Sequence, residues 1–144
     1  MGKIVVGVDG SEHSIAALRW AVEEARLRDV EVVAMCTWEF PHALNPVTMF
    51  TVEAEPFRAE AEAILERSIA AVNPGSVAVN PQIVEGAAAL LLVEASADAD
   101  LVVVGSRGRG GFGGLLLGSV SQHLAAHARC PVLVHHEHDH PSTR

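Results

Sequence analysis

The chain of 144 residues holds one lysine, Lys3, no tyrosine and only two cysteines. Each scarcity excludes something. Without a second lysine there is no G-K-[ST] phosphate loop of the Walker type. Aromatic residues make up 4% of the chain, which leaves few platforms on which single-stranded bases could stack. Cys36 and Cys130 lie far apart without C-x-x-C spacing, so neither a disulfide framework nor a zinc ribbon is implied; both read as small apolar residues. Basic residues are outnumbered 10 to 18 by acidic ones, for a net charge of -8, and such a surface repels nucleic-acid backbones. No apolar run approaches the ~20 residues that cross a bilayer. The first eight residues enter a strand-like run rather than a secretory leader. A cytoplasmic chain in a reducing compartment is expected, with no membrane and no nucleic acid among its partners.

What is present is an alternation of β-branched runs and helical periodicity. Lys3 to Val8 is a continuous apolar run, the pattern of a strand covered on both faces. Ser11 offers a helix cap, and Ile15, Leu18, Val22 and Ala25 recur at helical spacing. A second strand is predicted over Val30 to Thr37. A helix opening at Pro56 follows, with Phe57, Ala61, Ile64, Leu65, Ser68 and Val72 as its buried stripe. Pro81 lacks a ladder donor and places the third strand, Val77 to Val84, at a sheet edge. A helix over Gly86 to Asp98, a strand over Leu101 to Val104, a helix over Ser119 to Arg129 and a strand over Pro131 to His135 complete the series. The expected fold is α/β, an open, doubly wound, five-stranded parallel sheet with helices on both faces. One domain spans residues 1–135, followed by a polar, His-rich tail over 136–144. The long connection from Glu39 to Glu55 leaves the carboxyl end of strand two and reads equally as a lid or as a plain surface loop.

Seven of the twelve glycines fall between Gly105 and Gly118, where strand four ends and the next helix begins, so this segment is where the backbone can approach a ligand. Successive N–H groups in such a loop cradle anions, and a helix start adds unpaired N–H groups and the positive end of its dipole. Ser119-Val120-Ser121-Gln122 has the form of a capping box, and the Ser119 and Ser121 hydroxyls could also reach phosphate oxygens. Arg107 and Arg109 flank Gly108 and are the only Lys or Arg residues between Arg67 and Arg129. A flexible loop in which arginine serves solubility is the alternative. The coincidence of strand end, glycines, arginines and capping pattern favours an anion. The dinucleotide fingerprint is missing after strand one, which runs into Val8-Asp9-Gly10-Ser11.

The spacing G-x2-G-x9-G-[ST], carried by Gly105, Gly108, Gly118 and Ser119, resembles the ATP-binding branch of the universal stress protein family. The opening Ile4-Val5-Val6-Gly7-Val8-Asp9-Gly10-Ser11, the segment Asp98 to Gly108 and the closing Cys130-Pro131-Val132-Leu133-Val134 are similar to it as well. The resemblance implies sheet order 3-2-1-4-5 and a nucleotide across the carboxyl ends of strands one and four. It places Asp9 on the adenine or ribose side, with Gly7 and Val8 beside it, Ser11 following, and Thr37 lining the adenine pocket. Gly105, Ser106, Arg107, Gly108 and Arg109 would approach the ribose and inner phosphates, and Gly118, Ser119, Val120 and Ser121 the outer ones. Without the resemblance, the alternative for Asp9 is an acid that only complements a helix dipole, and its position at a strand end facing the crevice favours a ligand role.

The implied ligand is ATP or another adenine nucleotide, with magnesium. The glycine segment offers no carboxylate or lysine for phosphoryl transfer, so a regulatory nucleotide-binding protein with at most weak ATPase activity is expected. A slow hydrolase and a nucleotide-independent interaction module are the competing readings. Strand five is an apolar edge, and by the same resemblance two copies pair through it as a homodimer. The histidines of His135 to His140 could hold a transition metal, or form a plain polar tail.

Overall fold

The computed structural model describes residues 2–40, 53–107 and 117–137. The elements, in chain order, are β1 (Lys3–Gly7), α1 (Glu12–Arg28), β2 (Glu31–Trp38), α2 (Glu55–Val72), β3 (Val79–Glu85), α3 (Ala88–Ser96), β4 (Leu101–Gly105), α4 (Ser119–His127) and β5 (Val132–His135). They form a five-stranded sheet in the order β3-β2-β1-β4-β5 with every neighbouring pair parallel. Pro81 pairs opposite Ala34 in β3, the outermost strand on its side, so the missing N–H removes no bond from the interior of the sheet.

The period of two in each strand divides its side chains between two cores. Ile4, Val6, Val8, Val32, Ala34, Leu101 and Val103 pack under α1 and α2, with Leu18, Val22, Ile64 and Leu65. Val5, Val33, Met35, Val102 and Val104 pack on the other face with Leu92 of α3 and Leu124 of α4. Central strands buried on both sides therefore read as continuous apolar runs. Cys36 is buried in the first core, whereas Cys130 is half-buried beside the second.

Element boundaries differ from the sequence reading where turns intervene. β3 starts at Val79 rather than Val77, whose N–H donates to Pro74 O in a turn (3.2 Å). α3 starts at Ala88 because Gly86 takes φ +140, outside any helix. α4 ends at His127, and Ala128 is already extended at ψ 149. Residues 41–52 of the long connection after β2 and 138–144 of the tail lie outside the described residues, as do Gly108 and Arg109.

Candidate functional site

The carboxyl ends of β1 and β4 are neighbours, and one connection leaves for each face of the sheet, which opens a crevice between them. At the end of β1, Val8 N–H still donates to Met35 O (2.8 Å), carrying the pairing with β2 past the strand. The chain then turns at Gly10, whose φ of +83 suits glycine. The Asp9 carboxylate accepts the Ser11 N–H (2.9 Å), and the Ser11 hydroxyl accepts the Ser14 N–H (3.2 Å) as the cap of α1. The Ser14 hydroxyl accepts the Asp9 N–H (3.3 Å) and donates to Ser11 O (3.1 Å). Asp9 is thus held by its neighbours, and Ser11 serves the helix.

At the end of β4 the backbone closes on itself. Ser106 N–H donates to His135 O (2.9 Å), and Ser106 O accepts the Gly118 N–H (2.7 Å). The two ends of the glycine segment therefore meet at its base. The Ser121 hydroxyl donates to Gly105 O (2.9 Å), tying the first turn of α4 to the end of β4; both Ser106 and Ser121 are buried, at 4% and 3% exposure. Ser121 accordingly spends its only hydroxyl proton inside the protein.

The expected capping box does not form. Gly118, at φ -70 and ψ 167, is the N-cap of α4, and no side chain of the described residues caps the helix start. Ser119 is already helical and exposed, and Gln122 turns its amide to Leu117 O (3.0 Å) instead of back to a cap. The first intrahelical bond runs from Gln122 N–H to Gly118 O (3.0 Å), so the N–H groups of Ser119, Val120 and Ser121 precede it. A glycine cap supplies no side-chain acceptor for these donors.

The crevice floor is close-packed. A Cβ on Gly105 would lie 2.9 Å from the carbonyl carbon and oxygen of His13, so glycine lets the start of α1 settle on the end of β4. Nothing in the sequence pattern links positions 13 and 105, and this contact is legible only in three dimensions. His13 Nδ1 is buried there without a hydrogen-bond partner among the described residues. Gly7 has another role: a Cβ there would meet Leu92 Cδ1 at 3.0 Å and Val104 Cγ1 at 3.3 Å, under α3. Continuing the registers Gly7↔Met35 and Val6↔Val103 sets Asp9 level with Thr37 on one side and with Ser106 on the other. Arg107 is half-buried and makes no ion pair with any described residue. The structure thus brings Val8, Asp9, Gly105, Ser106, Arg107 and Gly118 to Ser121 to one edge of the sheet. Thr37 stands one strand away, and Gly108 and Arg109 lie outside the described residues.

The model of the Universal stress protein family matches residues 1–136. The chain belongs to that family. Universal stress protein Rv2623 of Mycobacterium tuberculosis (strain ATCC 25618 / H37Rv) is 39% identical to it over 142 residues, which cover 93% of this chain and 45% of that protein. The chain spans about half the length of the curated relatives it matches. Among solved structures of the same fold, the hypothetical protein MJ0577 superposes with a TM-score of 0.80 at 25% identity, covering 96% of this chain and 98% of that one. A universal stress protein crystallised in complex with cAMP is 28% identical, with a TM-score of 0.71 and coverage of 94% and 96%. Among the described residues, no helix of this family member is long and apolar enough to cross a membrane.

Proposed function

We propose that the chain binds an adenine nucleotide, ATP with magnesium, between the carboxyl ends of β1 and β4, and acts in the cytoplasm as a nucleotide-dependent regulator of a stress response. The observation that carries this reading is the start of α4. Its cap is a glycine, its first N–H groups have no side-chain acceptor among the described residues, and it is pinned beside the end of β4 by the bond from Gly118 N–H to Ser106 O. Such a helix start takes a phosphate through main-chain donors and the helix dipole. Arg107 adds a cation to an otherwise acidic chain at the same edge. The relative that binds cAMP supports an adenine nucleotide as the ligand class.

A magnesium ion fits this setting. It keeps most of its shell as water and phosphate oxygens and needs few protein ligands. Among the described residues no group of three His, Cys, Asp or Glu stands ready for a metal, and Asp9 is a carboxylate at the end of β1. When bound, the ion neutralises phosphate charge. The chain's own residues hold the nucleotide in place, Asp9 on the sugar side and Gly118 to Ser121 on the phosphates. The same reading includes a homodimer that joins two β5 edges.

Gly118→Asp tests the site with two opposite signs. Its φ of -70 and ψ of 167 suit any residue, and a carboxylate there caps α4 while occupying the donors and repelling phosphate. Thermal stability is expected to hold or rise, and affinity for ATP by calorimetric titration to fall at least about tenfold. Mass spectrometry of small molecules released from denatured wild-type protein should identify an adenine nucleotide. Wild-type protein that binds neither ATP, ADP nor cAMP, or a Gly118→Asp variant that binds as well as wild type, would sink the proposal.

A further inference from the structure

The second half of α4 carries a feature that nucleotide binding does not use. His123 and His127 lie one helical turn apart, with ring centroids 4.6 Å apart and planes inclined at 46°. His123 is half-buried and His127 exposed. Two imidazole nitrogens bound to one metal at about 2.0–2.1 Å, at a tetrahedral or right angle, set their ring centroids about 4.5–5.2 Å apart. The observed spacing falls in that window. The pair also sits at the carboxyl end of α4, with His127 in its last turn, where the helix dipole favours positive charge. One shared dication would complement both neutral nitrogens and the helix dipole.

We infer that His123 and His127 form a two-imidazole chelate for a borderline divalent transition-metal ion such as Ni²⁺, Cu²⁺ or Zn²⁺. Neutral imidazole suits these ions, and i, i+4 spacing puts both rings on one face of a helix. No third His, Cys, Asp or Glu completes a set among the described residues, so water fills the remaining positions and the metal exchanges with solution. The site is separate from the start of α4 and does not depend on nucleotide binding.

The His-rich tail could capture the same ions, and stability separates the two sources. A chelate spanning one helical turn exists only in the folded chain, so metal bound there raises the unfolding midpoint. Ligands that bind folded and unfolded chains alike leave the midpoint unchanged, so an ion held in that way by histidines of 136–140 would not move it. The experiment is thermal unfolding of the full chain with and without NiCl2 at neutral pH, in a buffer that does not chelate, alongside calorimetric titration with NiCl2. Nickel is expected to raise the wild-type midpoint. His123→Gln and His127→Gln should each remove most of that rise and weaken the helix-bound ion at least about tenfold, because the second ligand acts intramolecularly. A variant with His136→Gln, His138→Gln and His140→Gln should keep the rise. No rise in wild type, a rise kept when both helix histidines are replaced, or a rise lost with the tail histidines would each overturn the inference. Far-UV circular dichroism of the unloaded variants checks that α4 still forms.

Discussion

Gly105 and Gly7 both end central strands, yet their hydrogens face different neighbours. A Cβ on Gly105 would press on the His13 backbone, which is fixed in the first turn of α1 and cannot rotate away. A Cβ on Gly7 would press first on Leu92 Cδ1, the tip of a side chain with other rotamers. Gly105→Ala is therefore expected to cost about 1–3 kcal/mol and to lift the start of α1 from β4. Gly7→Ala should cost less, about 1 kcal/mol. Urea denaturation of the two variants checks the order, and equal losses would contradict this account of the crevice floor. Cys130 offers a second test at this scale. Burial pushes its thiol above the ordinary value of 9.0; a backbone hydrogen bond from Val102 opposes this, and the Asp100 carboxylate adds to it. The folded chain then keeps a proton that the unfolded chain releases. That contribution to stability is complete below the unfolded thiol's value and is lost as pH rises through the folded one. Between about pH 8 and 10, wild type should lose more unfolding free energy than Cys130→Ala, read from urea midpoints at each pH. Parallel losses in the two proteins would show that the thiol is not responsible.

Two helix starts that look alike in sequence behave differently. Ser11 caps α1 through Ser14 N–H, and the bonds from Asp9 N–H to the Ser14 hydroxyl and from Ser11 N–H to the Asp9 carboxylate fix the turn around it. Ser119, for all its S-x-x-Q setting, sits inside α4 and caps nothing. Ser11→Ala should lower stability by about 1 kcal/mol, and Ser119→Ala should change it by less than about 0.5 kcal/mol while weakening ATP binding. Chemical denaturation and calorimetric titration read the two effects, and a stability loss at Ser119 as large as at Ser11 would refute the assignment of the cap. The same contrast marks what sequence can disclose. Continuous apolar runs and helical stripes report burial on one or two faces, so the strands, the helices and the edge position of β3 at Pro81 were legible. A capping pattern names the residue types but not which of them takes extended backbone angles, and Gly118 took them in place of Ser119. Ser121 reads as a phosphate donor by position, but its partner, Gly105 O, lies 16 residues away on another element. The packing of His13 on Gly105 had no local signal at all. The ring separation of His123 and His127 is likewise visible only in three dimensions.

At the scale of the whole molecule, the sheet leaves β5 with one side unpaired among the described residues. The ladder shows which groups face outward. Val102 N–H donates to Pro131 O and Ser106 N–H to His135 O, and Val103 is level with Leu133. In a parallel pair the bonding residues alternate, so Pro131, Leu133 and His135 turn their main chain toward β4, while Val132 and Val134 turn theirs to the open edge. Two copies related by a two-fold axis would run these edges antiparallel, and the Val134 N–H would serve the partner alone. Val134→Pro removes that donor and no bond within the subunit, a place where an edge strand tolerates proline. The wild-type chain is expected to sediment as a dimer, and Val134→Pro as a folded monomer with circular dichroism unchanged. Leu133→Pro, which breaks the bond to β4, should instead reduce stability in either state. A Val134→Pro variant that stays dimeric would place the interface elsewhere on the molecule, because this change removes an outward donor and leaves the inward ladder to β4 whole.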